Sequence, residues 1–91
     1  MYILQCGDGS YSTGSTKNLK RRLQQHQSGK GALHTRVYAP VELVYFEEFS
    51  RIDHAFNREK QVQRWSHDKK KALIEGDILK LEMLSKKKFP E

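Results

Sequence analysis

Short apolar runs separated by turn residues open the chain. Residues 1–6 form a run rich in strand-forming side chains, and residues 7–10 (Gly-Asp-Gly-Ser) are typical of a turn in which glycine takes a positive φ. Residues 11–15 then form a second predicted strand. Two short strands joined by such a turn predict a β-hairpin, with a turn longer than the minimal Asn-Gly type.

The polar pattern changes to helical spacing after the hairpin. Asn18 or Thr16 can cap a helix whose inner side begins with Leu19 and Leu23. Residues 28–31 (Ser-Gly-Lys-Gly) end this helix. A further helical turn is predicted over 32–36, before a proline forces extended backbone.

The best strand pattern in the sequence covers residues 41–49. Ser50, with Asp53 three residues later, resembles a capping box and predicts that a helix begins there. Apolar residues then recur at spacings near three and four, which predicts an amphipathic helix. Its inner face comprises Ile52, Ala55, Phe56, Val62 and Trp65. Glu59 falls between Phe56 and Val62, so it points toward or beside the packed face.

Two shorter helices are predicted near the C-terminus. Ser66 can cap a helix over 68–74, Gly76 breaks it, and residues 78–84 form the next one. The resulting order, β-β-α-β-α-α-α, predicts an α/β fold of the α+β type with a small, mainly antiparallel three-stranded sheet flanked by helices. We expect residues 1–75 to form the functional domain, and residues 76–91 to add a C-terminal helix and basic tail to the same domain.

Composition narrows the possible partners. The chain has 91 residues, enough for one small domain, and a net charge of +6. Such a charge favours nucleic acid as a partner, because Lys and Arg displace counterions from the phosphate backbone; the alternative is charge scattered over solvated faces. The single cysteine, Cys6, allows no internal disulfide. No segment has the pattern of a membrane span or signal peptide, so the cytoplasm is the expected location.

One pair of side chains suggests chemistry. Arg22 and His26 lie four residues apart, so on a helix they project from one face. A guanidinium neutralises phosphate oxygens through a planar fork, and an imidazole can donate, accept or carry a proton near neutral pH. The pair is therefore well suited to a phosphodiester.

Several short segments occur in a characteristic order over roughly residues 1–75. They are YILQC (2–6), DGSYSTG (8–14), Leu19 with RRL (21–23) and His26, SGKGA (28–32), TR (35–36), LVY (43–45), and Ala55 with REK (58–60) ahead of RWS (64–66). In order and spacing they resemble the GIY-YIG nuclease superfamily, in particular its small single-domain bacterial members.

The resemblance implies an endonuclease that cleaves DNA phosphodiester bonds with one divalent metal, Mg²⁺ or Mn²⁺, as in a repair- or restriction-associated domain. Mapped onto this sequence, Tyr2, Arg22 and His26 match catalytic positions, and Glu59 matches the acidic metal ligand. A single carboxylate with waters is a usual way to hold Mg²⁺, which keeps much of its hydration shell.

Further basic residues are expected to contact phosphates without reading sequence. They are Lys17, Arg21, Lys30 and Arg36. DNA is favoured over RNA as the partner, no membrane is expected, and the oligomeric state stays open.

The sequence departs from the family pattern at both signatures. Ser12 stands where the second signature has a tyrosine that helps to activate water, and the loss of a general base typically costs about 10²–10⁴-fold in rate. Tyr11 is adjacent, but successive strand side chains point to opposite faces, so it could substitute only if a bulge shifts the register. Met1 directly precedes Tyr2, so the residues that normally open the first signature are absent; an upstream start or a shortened family member would each account for this.

Two other functions therefore stay open. One is a nucleic-acid-binding module that has lost turnover and keeps its basic surface. The other is a protein-interaction domain that uses the helix over 78–84 and the lysines after it.

Overall fold

A three-stranded antiparallel sheet forms the centre of the fold. The computed structural model describes residues 1–29, 31 and 33–86. The elements in chain order are β1 (Tyr2–Cys6), β2 (Tyr11–Gly14), α1 (Leu19–Gln27), α2 (Leu33–Val37), β3 (Val41–Phe46), α3 (Ile52–Gln63), α4 (His67–Glu75) and α5 (Ile78–Lys86). The strand order is β2-β1-β3, so β1 is central. The predicted α+β class and element order are confirmed, with α2 at the predicted helical turn.

The register of β1 decides which side chains share a face. Tyr2 lies opposite Gly14 and Leu4 opposite Ser12 on β2. On the other side β1 pairs with β3, with a register irregularity between Ile3 and Leu4. Because side chains alternate along a strand, Tyr2 and Ile3 project to opposite faces of the sheet.

Both faces of the central strand are covered. Met1, Ile3 and Val62 form a buried cluster that joins β1 to α3. Partly buried residues of the strands and of the α3–α4 region surround it: Tyr11, Val44, Tyr45, Trp65, Leu73 and Ile74. The opposite face of β1, which carries Tyr2, is covered by α1, since Tyr2 and His26 are in contact. A strand buried on both sides holds the side chains of both faces in fixed positions.

Local capping signals set most helix ends. The Asn18 side chain accepts a hydrogen bond from the backbone N–H of Arg21 at 3.0 Å, which confirms the predicted cap of α1. Ser66 caps α4 in the same way, accepting from the N–H of Lys69 at 3.2 Å. Gly76 ends α4 in a left-handed conformation, as expected of a helix C-terminus.

The predicted start and inner face of α3 need correction. The N-cap of α3 is Arg51, without a side-chain cap bond, and its guanidinium pairs with Asp53 at 3.0 Å, so Ser50 and Asp53 do not form a capping box. Ile52 and Phe56 are 38% and 48% exposed. The buried face instead follows Ala55, Glu59 and Val62, because Glu59 occupies an inward position.

The strand predicted over 41–49 is shorter in the structure. β3 ends at Phe46, and Glu47 adds one more pair with Met1 through backbone bonds of 2.8 and 3.0 Å. In the part of the chain that the structure describes, no helix combines the length and apolar character needed to cross a membrane.

Candidate active site

A tyrosine–histidine pair forms the buried centre of the candidate site. Tyr2 projects from β1 toward α1, and His26 lies in the last turn of α1. The Tyr2 hydroxyl is 3.1 Å from His26 Nε2, and the two rings meet edge to face with centroids 6.0 Å apart. Both side chains are buried. The structure thus brings together two residues that are 24 positions apart and were both predicted to be catalytic.

The second nitrogen of the same imidazole also has a partner. His26 Nδ1 lies 2.8 Å from Thr35 Oγ1 on α2. A neutral imidazole has one donor and one acceptor nitrogen, and each hydroxyl can act in either role. Both nitrogens of His26 are therefore used, and the ring orientation is fixed from two sides.

The electrostatic environment of His26 favours the neutral ring. Burial lowers the pKa of His26 below its ordinary value, and the nearby positive charge of Arg22 lowers this pKa further. Arg22 lies one turn before His26 on α1 and donates from Nη1 to Gln25 Oε1 at 3.0 Å. The predicted pair thus consists of a neutral imidazole with a guanidinium close enough to act on its pKa.

Two glycines allow the close approach of these side chains. A Cβ at position 14 would collide with the Tyr2 hydroxyl, and a Cβ at position 31 would collide with His26 Nδ1. Gly14, the last residue of the second signature, therefore leaves the space that the Tyr2 ring occupies.

The predicted metal ligand is an oriented carboxylate. Glu59 lies on the inner face of α3, and its Oε1 accepts a 2.6 Å hydrogen bond from Ser15 Oγ. Its Oε2 accepts from Gln63 Nε2 at 3.3 Å, and Lys60 Nζ is 3.9 Å away. Since Ser15 directly follows Gly14, the last residue of β2 lies against Tyr2 and the next residue contacts Glu59.

The donor set fits one ion held by a single carboxylate. Among the described residues, no group of three or more His, Cys, Asp or Glu side chains is placed to hold a metal. A carboxylate offers about four lone-pair positions, so the bonds from Ser15 and Gln63 leave Glu59 able to accept a cation. Water and substrate oxygens would complete such a coordination shell, as is common for Mg²⁺.

The signature position of the missing tyrosine is on the same face as Tyr2. Ser12 lies opposite Leu4, whereas Tyr11 lies opposite Gln5 and therefore on the other face. Tyr11 stacks on His67 there, with ring centroids 4.4 Å apart. The β1–β2 pairing keeps one register over these residues, so Tyr11 does not take the place of the signature tyrosine.

The predicted phosphate-binding residues differ in how they relate to this centre. Lys17, Arg21 and Arg36 are exposed, and Lys30 lies outside the described residues. Lys17 and Tyr2 line a cavity of about 440 Å³ that extends along the loop after β3 and the first turn of α3. Arg36 is on α2, beside Thr35. Of the predicted phosphate-binding residues, Lys17 therefore shares this cavity with Tyr2.

Sequence reasoning assigned no role to Ser15, Thr35 or Gln63. Thr35 and Arg36 belong to the quoted family segments, so Thr35 could have been noticed, but nothing local indicates that its hydroxyl reaches His26 nine positions away. Ser15 contacts Glu59 across 44 positions of sequence, and only the tertiary fold reveals such a pair.

Together, fold and site define a small basic α+β domain with a preorganised Tyr–His pair, an arginine and an oriented carboxylate. The chain belongs to the GIY-YIG family: the model of the GIY-YIG catalytic domain matches residues 1–72.

Relatives in bacteria and archaea share most of this length. A UPF0213 protein from Bacillus pumilus is 45% identical over 74 residues, covering 81% of this chain and 76% of the relative. A UPF0213 protein from Clostridium perfringens is 41% identical over 86 residues, covering 94% and 92%. A UPF0213 protein from Haloquadratum walsbyi is 40% identical over 75 residues, covering 82% and 84%. No solved structure matches the chain.

Proposed function

We propose that this protein is a metal-dependent endonuclease that cleaves phosphodiester bonds in DNA. The observation that carries the proposal is the buried contact between Tyr2 and His26 at 3.1 Å, in a GIY-YIG family member that also orients the carboxylate of Glu59. Buried polar side chains cost stability unless they are hydrogen-bonded, and a buried imidazole whose pKa is lowered beside a charged side chain is typical of an active site.

Each side chain has a distinct part in the proposed reaction. Arg22 would offset the negative charge that grows on the phosphate oxygens in the transition state. Glu59 would hold one Mg²⁺ or Mn²⁺ ion, which when bound polarises the scissile phosphate and stabilises the leaving oxygen. Lys17 and Arg36 would contact the phosphate backbone near the cleaved bond.

The Tyr2–His26 contact supplies a route for a proton. Tyr2 accepts a proton from the attacking water while its own hydroxyl proton moves to Nε2 of His26. The neutral state of the imidazole, favoured by burial and Arg22, keeps Nε2 able to accept. The oxygen of the deprotonated water then bonds to phosphorus as the phosphorus–oxygen bond to the leaving group breaks. The leaving oxygen takes up a proton from solvent, and His26 releases its proton to solvent afterwards.

The test is a nuclease assay on a set of single-stranded, duplex and branched DNA substrates with Mn²⁺ or Mg²⁺. We expect metal-dependent cleavage by the parent and its loss in Glu59→Ala, since that change removes the proposed ligand. Glu82→Ala, at an exposed position on α5, is the matched control and should cleave as the parent does. Cleavage by Glu59→Ala at the parent's rate would show that the metal site is wrongly assigned.

A second function is favoured by one observation. Ser12 lies on the Tyr2 face, where the family has its second tyrosine, and a serine hydroxyl is shorter and much less acidic than a phenol. A nucleic-acid-binding module without turnover would have this arrangement. It predicts salt-sensitive DNA binding and no cleavage with any divalent metal.

A further inference from the structure

On the side of the His26 ring that faces away from Tyr2, Nδ1 contacts the hydroxyl of Thr35, which has no part in the proposed reaction. Thr35 is 0% exposed, although it lies on α2, a helix of five residues. Its Oγ1 is 2.8 Å from Nδ1 of His26, which is itself 3% exposed. A threonine hydroxyl is thus buried against the one ring nitrogen that Tyr2 does not contact.

We propose that Thr35 is a positioning residue: its hydroxyl oxygen accepts a hydrogen bond from Nδ1–H of His26 and so keeps Nε2 unprotonated and directed at Tyr2. This inference rests on the proposed nuclease function, in which Nε2 receives the Tyr2 proton.

The chemistry of a neutral imidazole links the two hydrogen bonds. If Nδ1 carries the proton, Nε2 has a free lone pair and accepts from the Tyr2 hydroxyl. If Nε2 carries the proton, it donates to Tyr2 and cannot take the hydroxyl proton. Only the first tautomer lets Tyr2 pass its proton to His26 while it accepts one from water. The route is therefore open when Thr35 Oγ1 accepts from Nδ1–H, the role that this proposal assigns to it.

The packing around Nδ1 leaves little space for a water molecule to take over the hydrogen bond of the Thr35 hydroxyl. Gly31 approaches the same edge of the ring so closely that a Cβ there would collide with Nδ1. A water molecule cannot easily enter this edge if the threonine oxygen is removed. The tautomer and the ring orientation should then be lost together.

A pair of substitutions separates the hydroxyl from the packing. Thr35→Val keeps the shape and replaces the hydroxyl by a methyl group, whereas Thr35→Ser keeps the hydroxyl and loses the methyl group. We expect Thr35→Val to lower kcat by about 10–100-fold with little change in KM, by analogy with the partners that orient metal-binding imidazoles. Thr35→Ser should restore most of the rate.

A matched control is available in the same protein. Thr13 is also buried, but its Oγ1 has no hydrogen-bond partner among the described residues, and it lies opposite Ile3, on the other face of the sheet. Thr13→Val should therefore leave kcat unchanged and leave the protein at least as stable. A loss of activity in Thr13→Val equal to that in Thr35→Val would overturn the specific role of Thr35.

A second readout does not depend on cleavage. The ¹⁵N chemical shifts of the His26 ring near pH 7.5 report which nitrogen is protonated, and we expect protonated Nδ1 in the parent and in Thr35→Ser. In Thr35→Val the Nε2–H tautomer should appear. Protonated Nε2 in the parent, or equal cleavage by the parent and Thr35→Val, would overturn the proposal. A parent that shows the expected tautomer without any cleavage would instead contradict the proposed function and, with it, the catalytic part of this inference.

Discussion

His26 and Glu59 are ionisable side chains that lie buried on the inner faces of α1 and α3. Burial of such groups is costly unless they are hydrogen-bonded, and each has two partners: Tyr2 and Thr35 for His26, Ser15 and Gln63 for Glu59. Apolar residues at these positions would stabilise the fold more simply. The proposed function gives both groups a role, as a proton acceptor and as a metal ligand.

Ser12 is the residue at which a single substitution should increase activity. The position is half-buried on the Tyr2 face, opposite Leu4, so Ser12→Tyr would place a phenol on the side that carries the proposed site. We expect the cleavage rate to rise by about 10²-fold or more, since a positioned proton-transfer group contributes about 10²–10⁴-fold. Single-turnover rates of parent and variant provide the measurement. If Ser12→Tyr binds DNA but gains no rate, the missing tyrosine is not what limits turnover.

The lowered pKa of His26 predicts a pH dependence of stability. The pKa of His26 is lower in the folded state than in the unfolded state. As the pH falls below about 6.5, protons therefore bind preferentially to the unfolded chain. The free energy of unfolding should therefore decrease between pH 7.5 and pH 5.5. Urea unfolding at several pH values checks this, and His26→Gln should reduce the slope. An equally steep slope in His26→Gln would assign the effect to another group.

The carboxylate of Glu47 affects the free energy of unfolding in a separate, more acidic pH range. Burial alone would raise the pKa of Glu47, but hydrogen bonds from Arg58 and Tyr45 and the charge of Arg58 outweigh burial and lower it. The stabilisation from Glu47 is therefore fully present above its ordinary value of 4.5 and is lost as the pH falls below it. This loss does not overlap with the range in which His26 is tested.

At the scale of elements, the β1–β2 pairing places Tyr2 against Gly14. Gly14→Ala would force the Tyr2 ring to move and would lengthen or break its bond to His26. We expect a loss of about 1–3 kcal/mol in stability, typical of overpacking, and a large loss of cleavage. Thermal unfolding and single-turnover cleavage measure the two effects. Parent-like cleavage by this variant would show that the Tyr2 position is not critical.

The elements could be predicted where their signals are local. Asn18, Ser66 and Gly76 set helix ends through contacts within four residues, and these predictions are confirmed. The start of α3 was wrong because Asp53 pairs with the Arg51 side chain instead of a backbone N–H. The exposure of Phe56 was missed because periodicity alone does not show that Glu59 occupies the buried face.

Helical spacing indicated the Arg22–His26 pair, and the rest of the candidate site could be predicted only through the family resemblance. Tyr2 and Glu59 were identified by their places in the family pattern, which Arg22 and His26 also match, and the roles of all four stay predictions. The partners Ser15 and Thr35 were missed because the role of a hydroxyl group depends on its hydrogen-bond partner. Both contacts depend on how the helices pack on the sheet. The face occupied by Tyr11 likewise required the strand register.

At the scale of the whole molecule, the net charge of +6 should make DNA binding strongly salt-dependent. Each phosphate contact contributes a slope of about −0.7 to −0.9 in log K against log salt. Lys17→Ala should reduce this slope by about one contact, because Lys17 lines the cavity beside Tyr2. Lys71→Ala is the control, because Lys71 is exposed on α4 and does not line this cavity. Equal slopes for parent and Lys17→Ala would remove Lys17 from the proposed path.

The C-terminal helix keeps the third functional alternative open. α5 packs on α4 and leaves Ile78, Leu79 and Met83 exposed. A protein-interaction domain would use this surface and would show no salt-sensitive affinity for DNA or RNA. The binding measurements on the parent therefore also separate this alternative from the two nucleic-acid functions.

The most direct test of the account is the single-turnover cleavage rate of Tyr2→Phe beside the parent, at saturating DNA and Mn²⁺. The substitution removes only the hydroxyl that contacts His26 at 3.1 Å. We predict a loss of about 10²–10⁴-fold in rate with unchanged DNA affinity. Parent-like cleavage by Tyr2→Phe, or a parent that binds DNA and never cleaves it, would contradict the account.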